Sequence, residues 1–318
     1  MPRLARSIVL APMVALAVGA ALAVGCGGDE VQCHVAGDCP DGQQCVLGEC
    51  RPEVGSDSAV SDGGVDGVAD SGSDAMVDAG GDGGGVCDYV DDGVIERDEM
   101  VIEVGLGATY RVNQNAPVTV DLVGTQSGGE PLWDFTGTTP SDQSVVDELL
   151  PVGGTWFAAD FPDATYVAHL DPDTYGVFRV TDQALSMLGV ASVTPDETLM
   201  TYDVPVDLLR FPIGLGDHYV IDTTSTGTYS WTPLWTVEET YDITVDALGT
   251  VVVPAGTFHA LRIRTNLHQF IPYTVFTVDR ILYIWVTECF GIVARITSED
   301  DEADNIFTEA AQYRRMTL

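Results

Sequence analysis

From residue 87 onward, apolar and polar positions alternate in short runs separated by Gly, Pro, Asp and Asn. In one run Tyr241, Ile243 and Val245 share a face while Asp242, Thr244 and Asp246 share the other. In the next, Leu261 and Ile263 oppose Arg262 and Arg264. A period of two means half-buried antiparallel strands, because successive side chains leave a pleated strand on opposite sides. The same texture, rich in β-branched and aromatic residues, predicts strands over residues 117–123, 154–160, 174–180, 217–223, 239–247, 258–266 and 273–279. Residues 281–286, ILYIWV, are apolar on both faces and predict a strand covered from both sides. Helical signal is confined to residues 141–150, where Ser141 offers an N-cap, Asp142 an early acid and Pro151 a stop. Residues 181–188 and 303–315 fit either type. The pattern gives a mainly β domain of antiparallel strands with one or two short helices.

The first residues follow a different pattern. Arg3 and Arg6 precede an uncharged apolar stretch over residues 7–24, which ends at Gly25 and Cys26. That is the layout of an export signal. The run Leu22-Ala23-Val24-Gly25-Cys26 resembles a bacterial lipobox, with Ala23 where Leu is usual. The resemblance implies cleavage before Cys26, diacylation of its thiol and attachment to a membrane through an N-terminal lipid. With Gly27 after the cysteine, in place of the Asp that retains enteric lipoproteins in the inner membrane, it also implies the outer membrane. An uncleaved span and an ordinary secretory signal are the alternatives, since the stretch is just long enough to cross a bilayer.

Cysteine usage fits export. Of the 7 cysteines, Cys26 is the lipidation candidate, which leaves Cys33, Cys39, Cys45, Cys50, Cys87 and Cys289 as an even set for an oxidising compartment. Cys33, Cys39, Cys45 and Cys50 crowd a segment too short to bury a core, so disulfides are expected to order it. Their spacings lack the CxxC pairs of structural zinc sites. By elimination, Cys87 and Cys289 remain as partners for each other. Residues 51–86 are Gly, Ser, Ala, Val and Asp, with Asp62, Asp66, Asp70, Asp74, Asp78 and Asp82 every four residues. Like charges at that spacing repel and the glycines oppose a helix, so a disordered spacer is expected. Four segments follow: a signal peptide at 1–25, a lipidated N-terminus and cysteine-rich segment at 26–50, an acidic linker at 51–86 and a β-rich domain at 87–318.

Charge narrows the function classes. The formal net charge is −36, and all 13 basic residues are Arg. A field this negative repels nucleic acid and anionic lipid headgroups. Without lysine, Schiff-base and P-loop chemistry are excluded. The 5 histidines form no HExxH or HxH pattern, and no GxSxG elbow or dinucleotide-binding glycine pattern occurs. The paired carboxylates Asp171 and Asp173 sit in a turn signal. An enzyme is not expected.

Two local resemblances add expectations. Three stretches carry the first: Phe211-Pro212-Ile213-Gly214-Leu215-Gly216-Asp217, then Val252 to Phe258 (VVPAGTF) with Ala260-Leu261-Arg262-Ile263, and last Trp285 with Gly291-Ile292-Val293. Together they resemble half-barrel domains of the lipoprotein-localisation (LolA/LolB-like) superfamily. The resemblance implies a strongly curved antiparallel sheet, a half-barrel or open barrel, whose concave face holds apolar or lipid material. Its rival is a structural or surface-interaction lipoprotein whose sheet is filled by its own side chains. The second resemblance lies at residues 88–99, which look like a twelve-residue EF-hand loop. Asp88, Asp92, Val94 and Glu99 stand at positions 1, 5, 7 and 12, and Gly93 stands at the sharp turn. Position 3 is Val90, which brings no side-chain oxygen. The loop is a candidate for weak calcium binding, with a structured acidic turn as the alternative.

Overall fold

The computed structural model describes residues 43–46, 49–52, 87, 89–114 and 116–317. Strands β1 (Gln43–Val46) and β2 (Glu49–Pro52) form a separate hairpin whose register sets Cys45 opposite Cys50. Cys26, Cys33, Cys39, Asp88 and residues 53–86 of the expected linker lie outside the described residues, while its first two, Arg51 and Pro52, end β2.

The domain is built from β3 (Val94–Ile95), β4 (Gly107–Asn113), β5 (Val118–Thr119), β6 (Thr125–Ser127), β7 (Glu130–Asp134), β8 (Gln143–Glu148), β9 (Tyr166–Asp171) and β10 (Thr174–Val180). It continues through β11 (Ala184–Ser192), β12 (Leu199–Arg210), β13 (Ile213–Gly214), β14 (His218–Tyr229), β15 (Thr232–Val253), β16 (Gly256–Ile271), β17 (Phe276–Thr287), β18 (Gly291–Ser298) and β19 (Glu309–Thr317). Neighbours pair antiparallel along the path β8-β4-β19-β18-β17-β16-β15-β14-β12-β11-β10-β9. The two ends of that path meet at a bridge between Leu150 and Val167, so the sheet curls into a nearly closed barrel. Closure removes the exposed edges that an open sheet would present.

One apolar cluster fills the interior. It joins Tyr166 and Phe178 on β9 and β10 to Leu261, Ile263 and Val286 on β16 and β17, strands that are far apart along the sheet and touch only across its inside. A second cluster lies on the outer face, where the excursion through β5, β6 and β7 folds back over the sheet. There Trp133 and Phe135 meet Trp285 edge-on at 5.6 Å and 4.8 Å between ring centroids. Residues 281–286 are therefore covered on both sides, as their sequence requires: Ile281, Tyr283 and Trp285 in the outer cluster, Ile284 and Val286 in the inner one.

The register changes within β15. Val245 pairs with Ile263 and Ala247 with Arg262, which leaves Asp246 as the extra residue of a bulge. Before it, Tyr241, Ile243 and Val245 point into the barrel; after it, Val251 and Val253 point outward under β5 to β7. Arg262 fastens the bulge. Its Nε donates to Asp246 Oδ1 at 2.7 Å, one terminal nitrogen donates to the Leu122 carbonyl, and its guanidinium carbon lies 5.1 Å and 4.9 Å from the Trp133 and Tyr283 ring centroids. Arg315, fully buried, does the same further along by holding Gly137 O and Asp142.

One end of the barrel is stopped by the N-terminal segment. Ile95 and Met100 belong to the interior cluster, and β3 pairs with β13. Cys87 and Cys289 are joined, with Cα atoms 5.6 Å apart, as elimination predicts. Glu288 accepts hydrogen bonds from Val90 N at 2.7 Å and Asp91 N at 3.1 Å, and Cys289 N donates to Glu99 O at 2.7 Å.

Three expectations are corrected. Residues 141–150 are not a helix. Val145 and Val146 are β-branched, and residues 143–148 pair with β4 as strand β8. Asp142 caps no helix; it accepts from Thr139 N and Arg315. Residues 154–160 are turns and a single 3-10 turn over Ala158–Asp160, not a strand. Aromatic density misled there, because Phe157 and Phe161 plug a third cluster on the outer face of β9 to β11. Of residues 117–123 only Val118–Thr119 is strand. The helical content of the described residues is two 3-10 turns, Arg97–Glu99 and Ala158–Asp160.

Breaking the pair at the bulge should be costly, since both side chains are largely buried. Arg262→Ala is expected to lower stability in urea by about 3 kcal/mol, because it leaves the largely buried Asp246 with only the 3.9 Å contact to Arg264 and removes one of two donors to the Leu122 carbonyl. A change within about 0.5 kcal/mol, the range of ordinary surface substitutions, would remove Arg262 from this role.

A candidate binding site inside the barrel

Two polar features break the apolar interior. The first is a carboxylate. Glu239 lies on the inner face of β15 two residues before Tyr241, and is 2 % exposed. Tyr241 OH donates to it at 2.5 Å, Ser225 Oγ at 3.1 Å and Tyr202 OH at 3.4 Å, and Gln269 joins them. Burial raises the Glu239 pKa above its ordinary value, and these hydrogen bonds only partly offset it. Burial likewise drives the Tyr202 and Tyr241 hydroxyls well up, followed by the Glu239 charge. The group reads as a satisfied structural network in which four neighbours hold one carboxylate.

The second feature is a row of arginines. Ile284, Arg295, Arg314 and Val112 are successive cross-strand partners on β17, β18, β19 and β4. The row lies on the face of the sheet opposite Trp285, Ala294 and Arg315; at one end Ile284 packs on the interior cluster, and at the other Val112 belongs to the second cluster. Arg280 shares the inner face of β17 with Leu282 and Ile284 by strand alternation. Like charges directly opposite one another destabilise a sheet. Carboxylates answer part of this, with Arg314 paired to Asp147 and Arg280 to Asp300. Arg295 lies between them, its pKa lowered to about 10 by burial and then by the charge of Arg280. Burial also lowers Arg314, against a smaller opposing pull from Tyr110, whose ring centroid lies 4.5 Å from the guanidinium carbon.

Beside this row the packing is looser. Leu282, Ile284, Ile292 and Arg295 are half-buried although they sit on interior strands of the sheet and face inward. An inner wall with guanidinium groups next to accessible Leu and Ile side chains suits a molecule that is anionic at one end and apolar at the other.

The remaining candidates are dispersed. Asp92 Oδ1 accepts from Val94 N at 2.9 Å, and Glu99 Oε2 accepts from Glu96 N at 2.7 Å in a capping box. Val94 is tied into β3. Among the described residues no group of three or more His, Cys, Asp or Glu is placed to hold a metal. Three of the described histidines lie on the sheet surface beside carboxylates: His218 with Asp242 at 2.9 Å, His268 with Asp279 at 2.7 Å, and His259 between Asp91 at 2.5 Å and Glu130 at 3.2 Å. Burial opposes but does not cancel these two carboxylates, and the His259 pKa is raised. An open cleft of about 510 Å³ on β12 and β14 to β16 is lined by Asp203, Asp222, Glu238, Glu239 and His268. Sequence reading missed the arginine row, because only the register shows that residues 280, 295 and 314 share one face.

No family model matches the chain, and no curated protein matches it. Two solved structures are similar. One is a Bacteroides fragilis protein described as exported with a YmcC-like fold, at 14 % identity, covering 67 % of this chain and 96 % of that one. The other is a Parabacteroides distasonis protein described as a lipoprotein, at 12 % identity, covering 67 % and 95 %. Both have a TM-score of 0.33, at which the likeness carries no argument about this chain.

The Glu239 site makes a pH prediction. A carboxyl whose pKa is raised on folding contributes stability that is full below the unfolded value, 4.5, and is lost as pH rises through the folded value. The stability of the native chain relative to Glu239→Gln should therefore fall as pH goes from 4 to 8. Urea titrations of both proteins at the two pH values measure the gap, and a gap that stays constant or widens would contradict the assignment.

Proposed function

We propose that this chain is an exported lipoprotein, anchored through Cys26 in the outer membrane, whose barrel binds an apolar or amphiphilic ligand and handles lipid without catalysing a reaction. The observation that carries the reading is the inner wall of β17 to β19, where Arg280, Arg295 and Arg314 adjoin the half-buried Leu282, Ile284 and Ile292. The non-catalytic part rests on the Glu239 carboxylate, which is taken up by its own four neighbours, and on the histidine–carboxylate pairs, which lie dispersed over the sheet. The sequence supports the anchor: Arg3 and Arg6, an uncharged apolar stretch, then Gly25-Cys26. The resemblance to the lipoprotein-localisation superfamily points the same way. A second reading, a structural lipoprotein with a filled barrel, is favoured by the tight packing of the opposite half, where Met187, Met200 and Tyr241 are at most 1 % exposed.

Native mass spectrometry of the purified chain separates the two. A co-purified acidic lipid or fatty acid, lost from Arg295→Leu with the fold intact, supports binding; a ligand-free barrel from a lipid-rich expression host supports the structural reading.

The anchor has its own test. Cys26→Ser should release the chain from carbonate-washed membranes, because stable anchoring by lipid takes more than one acyl chain and the diacylated cysteine would supply them. Retention of the Ser variant would point instead to an uncleaved span.

A further inference from the structure

Opposite the end stopped by residues 87–102, two neighbouring hairpins reach out with apolar tips. At the β14–β15 tip stand Trp231 and, at the start of β15, Leu234, 59 % and 81 % exposed; at the β16–β17 tip stand Tyr273, Val275 and the first residue of β17, Phe276, at 66 %, 78 % and 45 %. The tips are contiguous. The Trp235 ring lies 6.2 Å from Tyr273 and 5.7 Å from Tyr229. Residues 227–237 and 269–278 contain no charged side chain, in a chain with 49 acidic and 13 basic residues. Trp231, Leu234 and Val275 hold positive φ angles of 65°, 59° and 53°. For bulky and β-branched residues that backbone is unfavourable, and such strain gathers at functional positions. These turns would be easier to build from Gly or Asn. The chain keeps large apolar residues there, aimed at solvent.

We propose that these two tips insert into the interfacial region of a zwitterionic phospholipid membrane. Trp, Tyr and Phe with aliphatic neighbours and no charge are the side chains that favour the headgroup–acyl boundary. About six side chains on two projecting turns fall well short of the roughly 20–30 residues per partner of a stable protein interface. Insertion needs only the tips. Charge sets the lipid class: Asp171 acts on Tyr229, and Glu197 accepts a hydrogen bond from Trp231 N through its carbonyl, so acidic turns border the patch and repel an anionic surface. The proposed anchor brings the domain to such a surface. Residues 51–86, at about 3.4 Å each when extended, reach roughly 120 Å, enough for the far end of the barrel to meet the bilayer.

The test uses the exported chain with Cys26→Ser, so that no acyl anchor contributes and failure here leaves the anchoring proposal untouched. The probes are vesicles of phosphatidylcholine with phosphatidylethanolamine, read by co-sedimentation and by quenching of tryptophan fluorescence with brominated lipid. We expect measurable partitioning with quenching, weakened at least tenfold by Trp231→Ser, Leu234→Ser and Val275→Ser together, and unchanged by Val220→Ser, an exposed apolar residue elsewhere on the sheet. Adding anionic lipid at low salt should weaken it. A near-ultraviolet circular dichroism spectrum like that of the unsubstituted protein confirms that the triple variant folds, and quenching in the protein with intact tips stands without it. No partitioning, partitioning that the triple variant retains, or a concentration-dependent dimer that the triple variant abolishes would each overturn the proposal.

Discussion

A single residue out of step in β15 allows one strand to serve two cores. Without the bulge at Asp246, the odd-numbered residues from 241 to 253 would all face one side, and either the barrel interior or the outer cluster would lose its β15 contribution. The bulge places a carboxylate at a largely buried position, which is tolerable only with a partner. Arg262 is that partner, and its other contacts are with the layer the bulge makes room for: the Leu122 carbonyl and the faces of Trp133 and Tyr283. Strand geometry, the outer cluster and the path of residues 117–135 are thus tied to one ion pair.

A sheet covered on both faces has consequences for charge. Of the arginines beyond residue 87, only Arg210 is exposed, and that by about half. Arg262 and Arg315 lie under the outer excursion, while Arg280, Arg295 and Arg314 line the inside. The outer surface is consequently acidic almost throughout. Anions are repelled at long range by such a surface.

Much of the strand content was legible because period-two alternation is a local property. Residues 174–180 form β10 with the predicted bounds, and the turn at Pro254-Ala255 joins β15 to β16. The two-sided burial of residues 281–286 was legible for the same reason: composition reports cover on each face. The failures have a common cause. Residues 141–150 carry good helix-boundary signals, but they meet the edge of β4, and pairing outweighs propensity. Residues 154–160 are apolar because they plug the outside of another part of the sheet. Both depend on contacts distant in sequence. The arginine row was illegible in a stronger sense. Alternation assigned Arg262 and Arg264 to a polar face, taken as solvent, whereas that face is covered; and the bulges at Val286 and Ser298 shift parity before Arg295 and Arg314 can be aligned.

The placement of strain follows from the same division of labour. The end of the barrel that holds residues 87–102 is fixed by a disulfide, by the Glu288 carboxylate and by Met100 and Ile95 inside. In the chain-entropy picture, closing a loop of 202 residues contributes on the order of 5 kcal/mol. Such an end is poorly suited to movement or to admitting a ligand. The opposite end carries the long hairpins, the left-handed turns at Trp231, Leu234 and Val275, and the uncharged tips. Rigidity at one end lets the other keep unfavourable turns and exposed rings without loss of the fold. Exposed apolar surface in a strongly acidic protein is guarded against self-association by the surrounding charge, which repels a second copy but not a neutral bilayer. The acidity of the chain and the apolar character of its tips thus act together to select what the tips can touch.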